Sequence, residues 1–345
     1  VYITTPEVSS SRATVAVQVE VDGWQKHDVR IRTTLRNPKG VIVGSVQSGM
    51  PEHTHQTCTE VRLPALTLEN PQLWSCESPQ LYNAEVVVTA DGMVVDSLTE
   101  QFGIRSLEFS PEFGFKLNGK KIFLQGNANH HDLGALGATC YDKAIERMML
   151  QLKSFGYNCI RCSHNPYSDS FARIADRVGI LVVDELTDKW SDNDYWGGRQ
   201  PFTHIWHKLI TEWIKRDRNR PSIILWSIGN EIDYPNDPYC HPSFLEMTGN
   251  NDANKPAAER QYDPAKPDMR RLLPIAEELS SIVKSEDKSR PVTMALAYPE
   301  LSAKLGILEH LDVAGYNYKE QYYEADHRDF PQIPFLGSEN GHSYE

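Results

Sequence analysis

Two periodicities divide the chain. Over residues 1 to about 106, apolar and polar positions alternate in short runs, ATVAVQVEV (13–21), DVRIRTTL (28–35) and YNAEVVVTA (82–90). Turn residues separate them at Asp22-Gly23, Pro38-Lys39-Gly40 and Asp91-Gly92. Alternation with period two gives each strand one core face and one wet face, which predicts an antiparallel immunoglobulin-like β-sandwich.

From about Phe113 the pattern changes to continuous apolar runs: KIFLQG (121–126), NCIRC (158–162), ILVVDE (180–185), SIILWSIGN (222–230), PVTMAL (291–296), DVAGY (312–316) and IPFLGSE (333–339). Helical spacing fills the gaps near 142–155, 168–178, 202–219 and 268–284. Strands apolar on both faces and alternating with helices belong to a buried parallel sheet, and their number favours a (β/α)8 TIM barrel over an open doubly wound sheet. We count seven strands, not eight. A barrel without its last strand leaves open edges on the first and seventh, so the expectation is an incomplete barrel in a piece of a longer polypeptide. The expected division is a sandwich over 1–108 and a barrel over 109–345.

Composition narrows the class of function. The 345 residues carry 35 Lys and Arg against 47 Asp and Glu, a net charge of −12, with 40% hydrophobic residues. That is a folded globular composition, and its acidic balance argues against an extended nucleic-acid or anionic-membrane surface. The basic cluster at 215–220 ends a predicted helix just before Pro221, where cations complement the helix dipole. No run reaches the roughly 18 apolar residues of a membrane-spanning helix, and the first residues show no signal-peptide pattern, so the chain reads as soluble with its compartment not legible.

Six cysteines in a chain this long do not suggest a disulfide framework. Cys159 and Cys162 form a CxxC inside a predicted strand, where positions three apart point to opposite faces and cannot share a metal. The proline-rich polar loop 233–267 follows a strand end, which is where active-site loops of a barrel sit.

Chemistry in this class belongs to the C-terminal ends of strands. Those ends carry His130, His131 and Asp132; Arg161 and His164; Asp184 and Glu185; Asn230 and Glu231; Tyr316 and Tyr318; and Glu339. A glutamate at the mouth after an apolar strand is poorly solvated, which suits Glu231 to donate a proton. Two carboxylates across a barrel mouth are what glycosidic cleavage requires. Each glutamate taken alone has another reading, as a helix cap or a partner for Arg161; the convergence of these groups favours a site.

The runs RDRNRPSIILWSIGNEI (216–232), FGYNCIRCSHNPYSDSFARIADRVGILVVDE (155–185), FGIRSLEF (102–109), KLNGKKIFLQGNANHHDLGALG (116–137) and LWSCESPQLYNAEVVV (73–88) resemble glycoside hydrolase family 2. That family places a sugar-binding jelly roll before an immunoglobulin-like sandwich and a catalytic barrel. On that template the expectation is a stretch that begins at the sandwich and stops near the end of the seventh barrel strand, with the first domain and the eighth strand outside it. The resemblance implies that Glu231 is the general acid/base and Glu339 the nucleophile. Asn230 would bond the sugar 2-hydroxyl, Tyr318 would hold the nucleophile, and Arg161 would keep Glu339 ionised by its positive charge. His130 and His164 would line the subsite for the terminal sugar, while Trp190, Tyr195 and Trp196 would contact the leaving group, with ordinary rim packing as their other reading.

Some family members bind magnesium through a Glu-x-His after the third strand; here Lys189 and Ser191 stand at those places, so no catalytic metal or other cofactor is expected. After Glu339 the chain reads Asn340-Gly341-His342, unlike the continuations of either galactosidases or glucuronidases. The HHDLGALG segment and GYNY point to the β-galactosidase branch. The expected function is therefore a retaining exo-glycosidase acting on terminal β-galactosides, with its carboxyl groups about 5 to 5.5 Å apart. A β-glucuronidase or β-mannosidase of the same family, a carbohydrate-binding fragment without turnover, and a metal-dependent hydrolase built on His130, His131 and Asp132 are the alternatives. The expected partner is a carbohydrate substrate, with no nucleic acid or membrane; family members commonly self-associate, which leaves a homo-oligomer open.

Overall fold

The computed structural model of the chain describes residues 1–23, 27–51, 58–190, 202–233, 241–242 and 264–341. The alternating half forms two antiparallel sheets. One joins β1 (Tyr2–Val8), β2 (Arg12–Asp22) and β5 (Cys58–Arg62), with β6 (Leu66–Glu69) also on β2. The other has the order β4 (Ile42–Gly49), β3 (Val29–Arg36), β7 (Tyr82–Ala90) and β8 (Met93–Phe102). Ala13, Val15, Val17, Val19 and Val21 on β2 all turn inward against Ile31, Leu35 and Ala84. The alternation that predicted a half-buried strand is thus the alternation of burial itself. Asp91 and Gly92 both have positive φ, 51° and 82°, the backbone that a tight two-residue hairpin requires between β7 and β8.

A small antiparallel sheet follows, β9 (Leu107–Ser110), β10 (Gly114–Leu117) and β11 (Lys120–Ile122). It corrects one expectation. KIFLQG is not the first barrel strand: its start closes a hairpin, with Ile122 opposite Phe115, and Phe123 is 82% exposed. The barrel begins instead at β12 (Gly126–His130), where a Cβ on Gly126 would come within 2.7 Å of the Cys159 carbonyl oxygen, so only glycine lets the strands approach.

The sheet then runs in chain order and wholly parallel through β13 (Cys159–Ser163), β14 (Leu181–Glu185), β15 (Ile223–Asn230), β16 (Val292–Leu296), β17 (Val313–Asn317) and β18 (Phe335–Glu339). These are seven strands of a (β/α)8 barrel, curled so that β12 comes near β18. The connecting helices are α1 (Asp142–Ser154), α2 (Asp169–Val178), α3 (Phe202–Asp217), α4 (Leu272–Glu286), α5 (Pro299–Leu305) and α6 (Tyr323–Asp329). All residues of β13 to β17 are buried, which is why they read as unbroken apolar runs.

The sandwich docks on the end where barrel strands begin. Trp74 is fully buried and donates its indole N–H to Asp176 O, at the last turns of α2. Arg105 donates to the carbonyls of Pro221 and Ile223, and Tyr2 donates its hydroxyl to Asp287 at 2.7 Å. The strand ends at the opposite side are left to the site.

Candidate active site

Two residues at the mouth adopt backbone that side-chain-bearing residues avoid. Glu231, directly after β15, has φ 49°, and Tyr318, directly after β17, has φ 54°. Each such residue costs about 1 kcal/mol in local strain. Neighbouring strands hold both in place: Glu231 donates its N–H to Ala295 O and Tyr318 donates its N–H to Glu339 O, each at 2.7 Å. The second bond ties the ends of β17 and β18 together.

Arg161, in the middle of β13, organises the interior. It is 5% exposed; Nη1 donates to Glu339 Oε1 at 2.6 Å, and Nη2 donates to Asn230 Oδ1 at 2.8 Å. Its remaining edge donates to both oxygens of Glu185, with Nη2 to Oε2 at 2.7 Å. Glu185 is wholly buried, and His164 Nδ1 at 2.7 Å and Ser227 Oγ at 2.7 Å complete its shell. Burial pushes the Glu185 carboxyl up, but the charge of Arg161 and the His164 and Ser227 contacts outweigh it and hold the group below its ordinary range. Tyr318 Oη donates to the other oxygen of Glu339 at 2.5 Å. Glu339 is therefore gripped by a cation on one side and a phenol on the other.

Glu231 lies in different surroundings. Asn317 Nδ2 donates to Glu231 Oε1 at 3.3 Å and to Asn230 Oδ1 at 3.0 Å, and is itself fixed by Ser338 Oγ, which donates to Asn317 Oδ1 at 2.7 Å. Burial raises the Glu231 pKa above the ordinary carboxylate value; the Asn317 bond and the charge of Lys189 oppose the shift, while Glu339 and Asp233 add to it. One glutamate is thus poised to keep a proton while the other is paired with positive charge, the division of labour that acid-assisted displacement at a sugar needs.

The expected residues gather here with one exception. Glu231, Glu339, Asn230, Arg161, His164 and Tyr318 form one connected network; His130 joins it by packing edge-on against His164, ring centroids 5.4 Å apart. Arg161 meets Glu339, Glu185 and Asn230 and so is shared among protein groups. Trp190 is the correction. It is 1% exposed, packs in the barrel core and donates its indole N–H to Ile228 O at 2.8 Å, so it presents no face for a sugar to stack on. Tyr195, Trp196, Ser191 and His342, and most of the loop 233–267, lie outside the described residues.

Sequence reading collected Glu185 at a strand end without giving it a role, and missed Asn317, Asp188 and Lys189 as parts of the site. Asn317 also lies at a strand end, a signal that was available; what was not legible is which strand-end polar groups meet. Asp188 Oδ1 accepts from Asn230 Nδ2 at 3.0 Å and from Lys189 Nζ at 2.7 Å, and Lys189 also donates to Asn230 O at 3.0 Å. An ammonium is no ligand, so Lys189, at one of the two places where the family resemblance would put a magnesium ligand, does not serve a divalent cation; Ser191, at the other, lies outside the described residues. Among the described residues, no three His, Cys, Asp or Glu side chains gather as a metal site.

Comparison with known proteins agrees with this architecture. The family model for glycosyl hydrolases family 2 matches residues 1–105, and that for the family's TIM barrel domain matches residues 112–267. A β-galactosidase of Bacteroides ovatus is 32% identical over 343 residues, which is 98% of this chain and 40% of that protein. The crystal structure of a glycosyl hydrolase family 2 member from Bacteroides cellulosilyticus superposes with a TM-score of 0.79 at 33% identity, covering 98% of this chain and 41% of that one. A Bacteroides uniformis β-glucuronidase superposes with a TM-score of 0.78 at 26% identity, covering all of this chain and 40% of that one. The chain thus spans about two fifths of the length of these relatives.

Proposed function

The chain belongs to glycoside hydrolase family 2, and from that premise we propose that it carries the catalytic site of a retaining exo-glycosidase acting on terminal β-galactosides. Glu339 attacks the anomeric carbon while Glu231 donates its proton to the leaving oxygen; water then enters with Glu231 as base and releases the sugar. Arg161 balances the charge of Glu339 before attack, and Tyr318 fixes the attacking oxygen's orientation. Asn230, held by Arg161, Asn317 and Asp188, offers its amide to the 2-hydroxyl, a contact that strengthens as positive charge grows at the anomeric carbon.

The observation that carries this reading is the contrast between the two glutamates: Glu231 desolvated with its pKa raised, Glu339 charge-paired at 2.6 Å with Arg161. The preference for a neutral hexose rests on a second one. Among the described residues, the cations around the mouth are already matched to carboxylates: Arg161 to Glu185 and Glu339, Lys189 to Asp188, and Lys319 to Glu300. None of them is left to receive a uronate carboxylate, which would itself need a cation.

Intact mass after incubation with 2-deoxy-2-fluoro-β-galactosyl fluoride, followed by peptide mapping, tests the proposal. A single adduct on Glu339 is expected. An adduct only from the glucuronyl or mannosyl analogue would keep the mechanism and overturn the sugar. No adduct from any of the three would favour a carbohydrate-binding chain without turnover.

A further inference from the structure

Three consecutive residues of the loop after β14 grip three consecutive residues at the end of β15. Trp190 Nε1 donates to Ile228 O at 2.8 Å, and that indole nitrogen lies against Gly229, where a Cβ would stand 2.9 Å from it. Asp188 O accepts from Asn230 N at 3.0 Å, while its carboxylate takes Asn230 Nδ2. Lys189 Nζ closes the set by donating to Asn230 O, the carbonyl of the peptide that leads into Glu231. That peptide precedes a residue with positive φ, whose own N–H is held from the other side by Ala295 O. A strained residue keeps its conformation only when its flanks are fixed, and here the flank is fixed by an ammonium.

We propose that Lys189 is a positioning residue for the general acid/base, a cation built into the chain that holds the Asn230–Glu231 peptide and lends positive charge to the Glu231 carboxyl. The inference rests on Glu231 being the acid/base. The groups that face Glu231 are Asp233 on its own segment, Asn317, Tyr318 and Glu339 from the ends of β17 and β18, and the Asp188–Lys189 pair from the loop after β14. Glu339 and Asp233 push its proton affinity up along with burial; of the cations, Lys189 weighs most against them. Burial and two anions alone would hold the proton too tightly for an acid that must also serve as base in the second step. Lys189 offsets that excess. Its side chain is 23% exposed and ends among polar partners outside the apolar core, so a glutamine can replace it without opening an apolar cavity.

The test is the pH dependence of kcat/KM on a 4-nitrophenyl β-galactoside for the intact protein, Lys189→Gln and Lys189→Arg. Loss of a proton from the acid sets the alkaline limb, and removing a nearby positive charge raises the pH at which that proton leaves. The Lys189→Gln limb is expected to move upward by about half to one pH unit, and Lys189→Arg to return most of that shift. A Lys189→Gln limb coincident with wild type, accompanied only by a lower Tm, would reduce Lys189 to a structural tie and overturn the proposal. Glu231→Ala separates the two levels: if azide fails to restore its turnover of the activated aryl glycoside, the acid/base assignment has fallen, whereas rescue with an unmoved Lys189→Gln limb sinks only the present inference. Should no aryl glycoside be turned over, carboxyl ¹³C titration of labelled glutamate, with Glu231 identified by its loss in Glu231→Gln, reads the midpoint directly. Equal midpoints with and without Lys189 would overturn the proposal.

Discussion

Arg161 holds Glu339 at 2.6 Å with one nitrogen while Glu185, itself wholly buried, occupies the opposite edge of the same guanidinium. The planar fork serves two carboxylates at once, and an ammonium cannot do so. Arg161→Lys is expected to keep the charge and lose the geometry, lowering kcat/KM by about a hundredfold or more, on the scale of losing one preorganised contact to a reacting group. Steady-state kinetics beside a thermal unfolding curve would decide it. A variant with wild-type kcat/KM would show that Glu339 does not depend on this fork.

Tyr318 offers a narrower test, because Tyr318→Phe removes one oxygen and leaves the ring. The hydrogen bond to Glu339 is charge-assisted and worth about 1.5 to 3 kcal/mol. The expected outcome is a fall in kcat of roughly tenfold to hundredfold with unchanged Tm, since the ring is half exposed. Unchanged kcat would remove Tyr318 from the mechanism.

Gly229 is placed where a methyl group has no room, 2.9 Å from Trp190 Nε1 and from the Ile232 side chain. Gly229→Ala is expected to destabilise the fold by about 1 to 3 kcal/mol through overpacking and to displace Glu231, lowering kcat as well. Denaturant unfolding and initial rates would both register the change. If Ile232 simply turns aside, neither will move, and the packing argument for this glycine fails.

At the other end of the barrel, Asp287 ties the sandwich to it. The carboxylate accepts from Tyr2, Arg290 and the Trp226 indole, and although burial pushes its pKa up, Arg290 and the hydrogen bonds from Ser289 and Tyr2 outweigh this and hold it far below the usual carboxylate range. A depressed native pKa stabilises the fold above the unfolded-state value of about 3.9, and that stability fades as pH falls toward the native value. Asp287→Asn should therefore cost about 3 to 5 kcal/mol at pH 7, as a buried pair does when one partner is lost. The gap in Tm between variant and wild type should narrow below pH 4. A gap independent of pH would show that the loss is one of packing rather than charge.

The fold was legible wherever burial leaves a period in the sequence. β2 shows alternation because only one face is covered, and β13 to β17 show continuous apolar runs because both are. The first barrel strand escaped for the same reason: GNANH alternates exposed Gly126, Ala128 and His130 with half-buried Asn127 and Asn129 and has no large apolar residue, while the apolar IFL beside it sits on a hairpin and an exposed Phe123. In the site, residues at strand ends could be collected from order alone. Their pairings could not: Glu185 meets Arg161 from the adjacent strand, but Arg161 meets Glu339 and Asn317 meets Glu231 only through the curl of the sheet. Trp190 was misread because nearness in sequence to a mouth loop says nothing of which way a side chain turns; Lys189, one residue earlier, engages the site and Trp190 the core.

The left-handed backbone at Glu231 and Tyr318 sets this barrel against its own durability. Glycine would adopt those angles without steric penalty. Selection for heat resistance alone would therefore pull both positions toward glycine or asparagine and so toward silence, whereas selection for turnover retains the two residues that the backbone tolerates least. A library of this chain screened first for solubility and only afterwards for hydrolysis would tend to discard its chemistry in the first round.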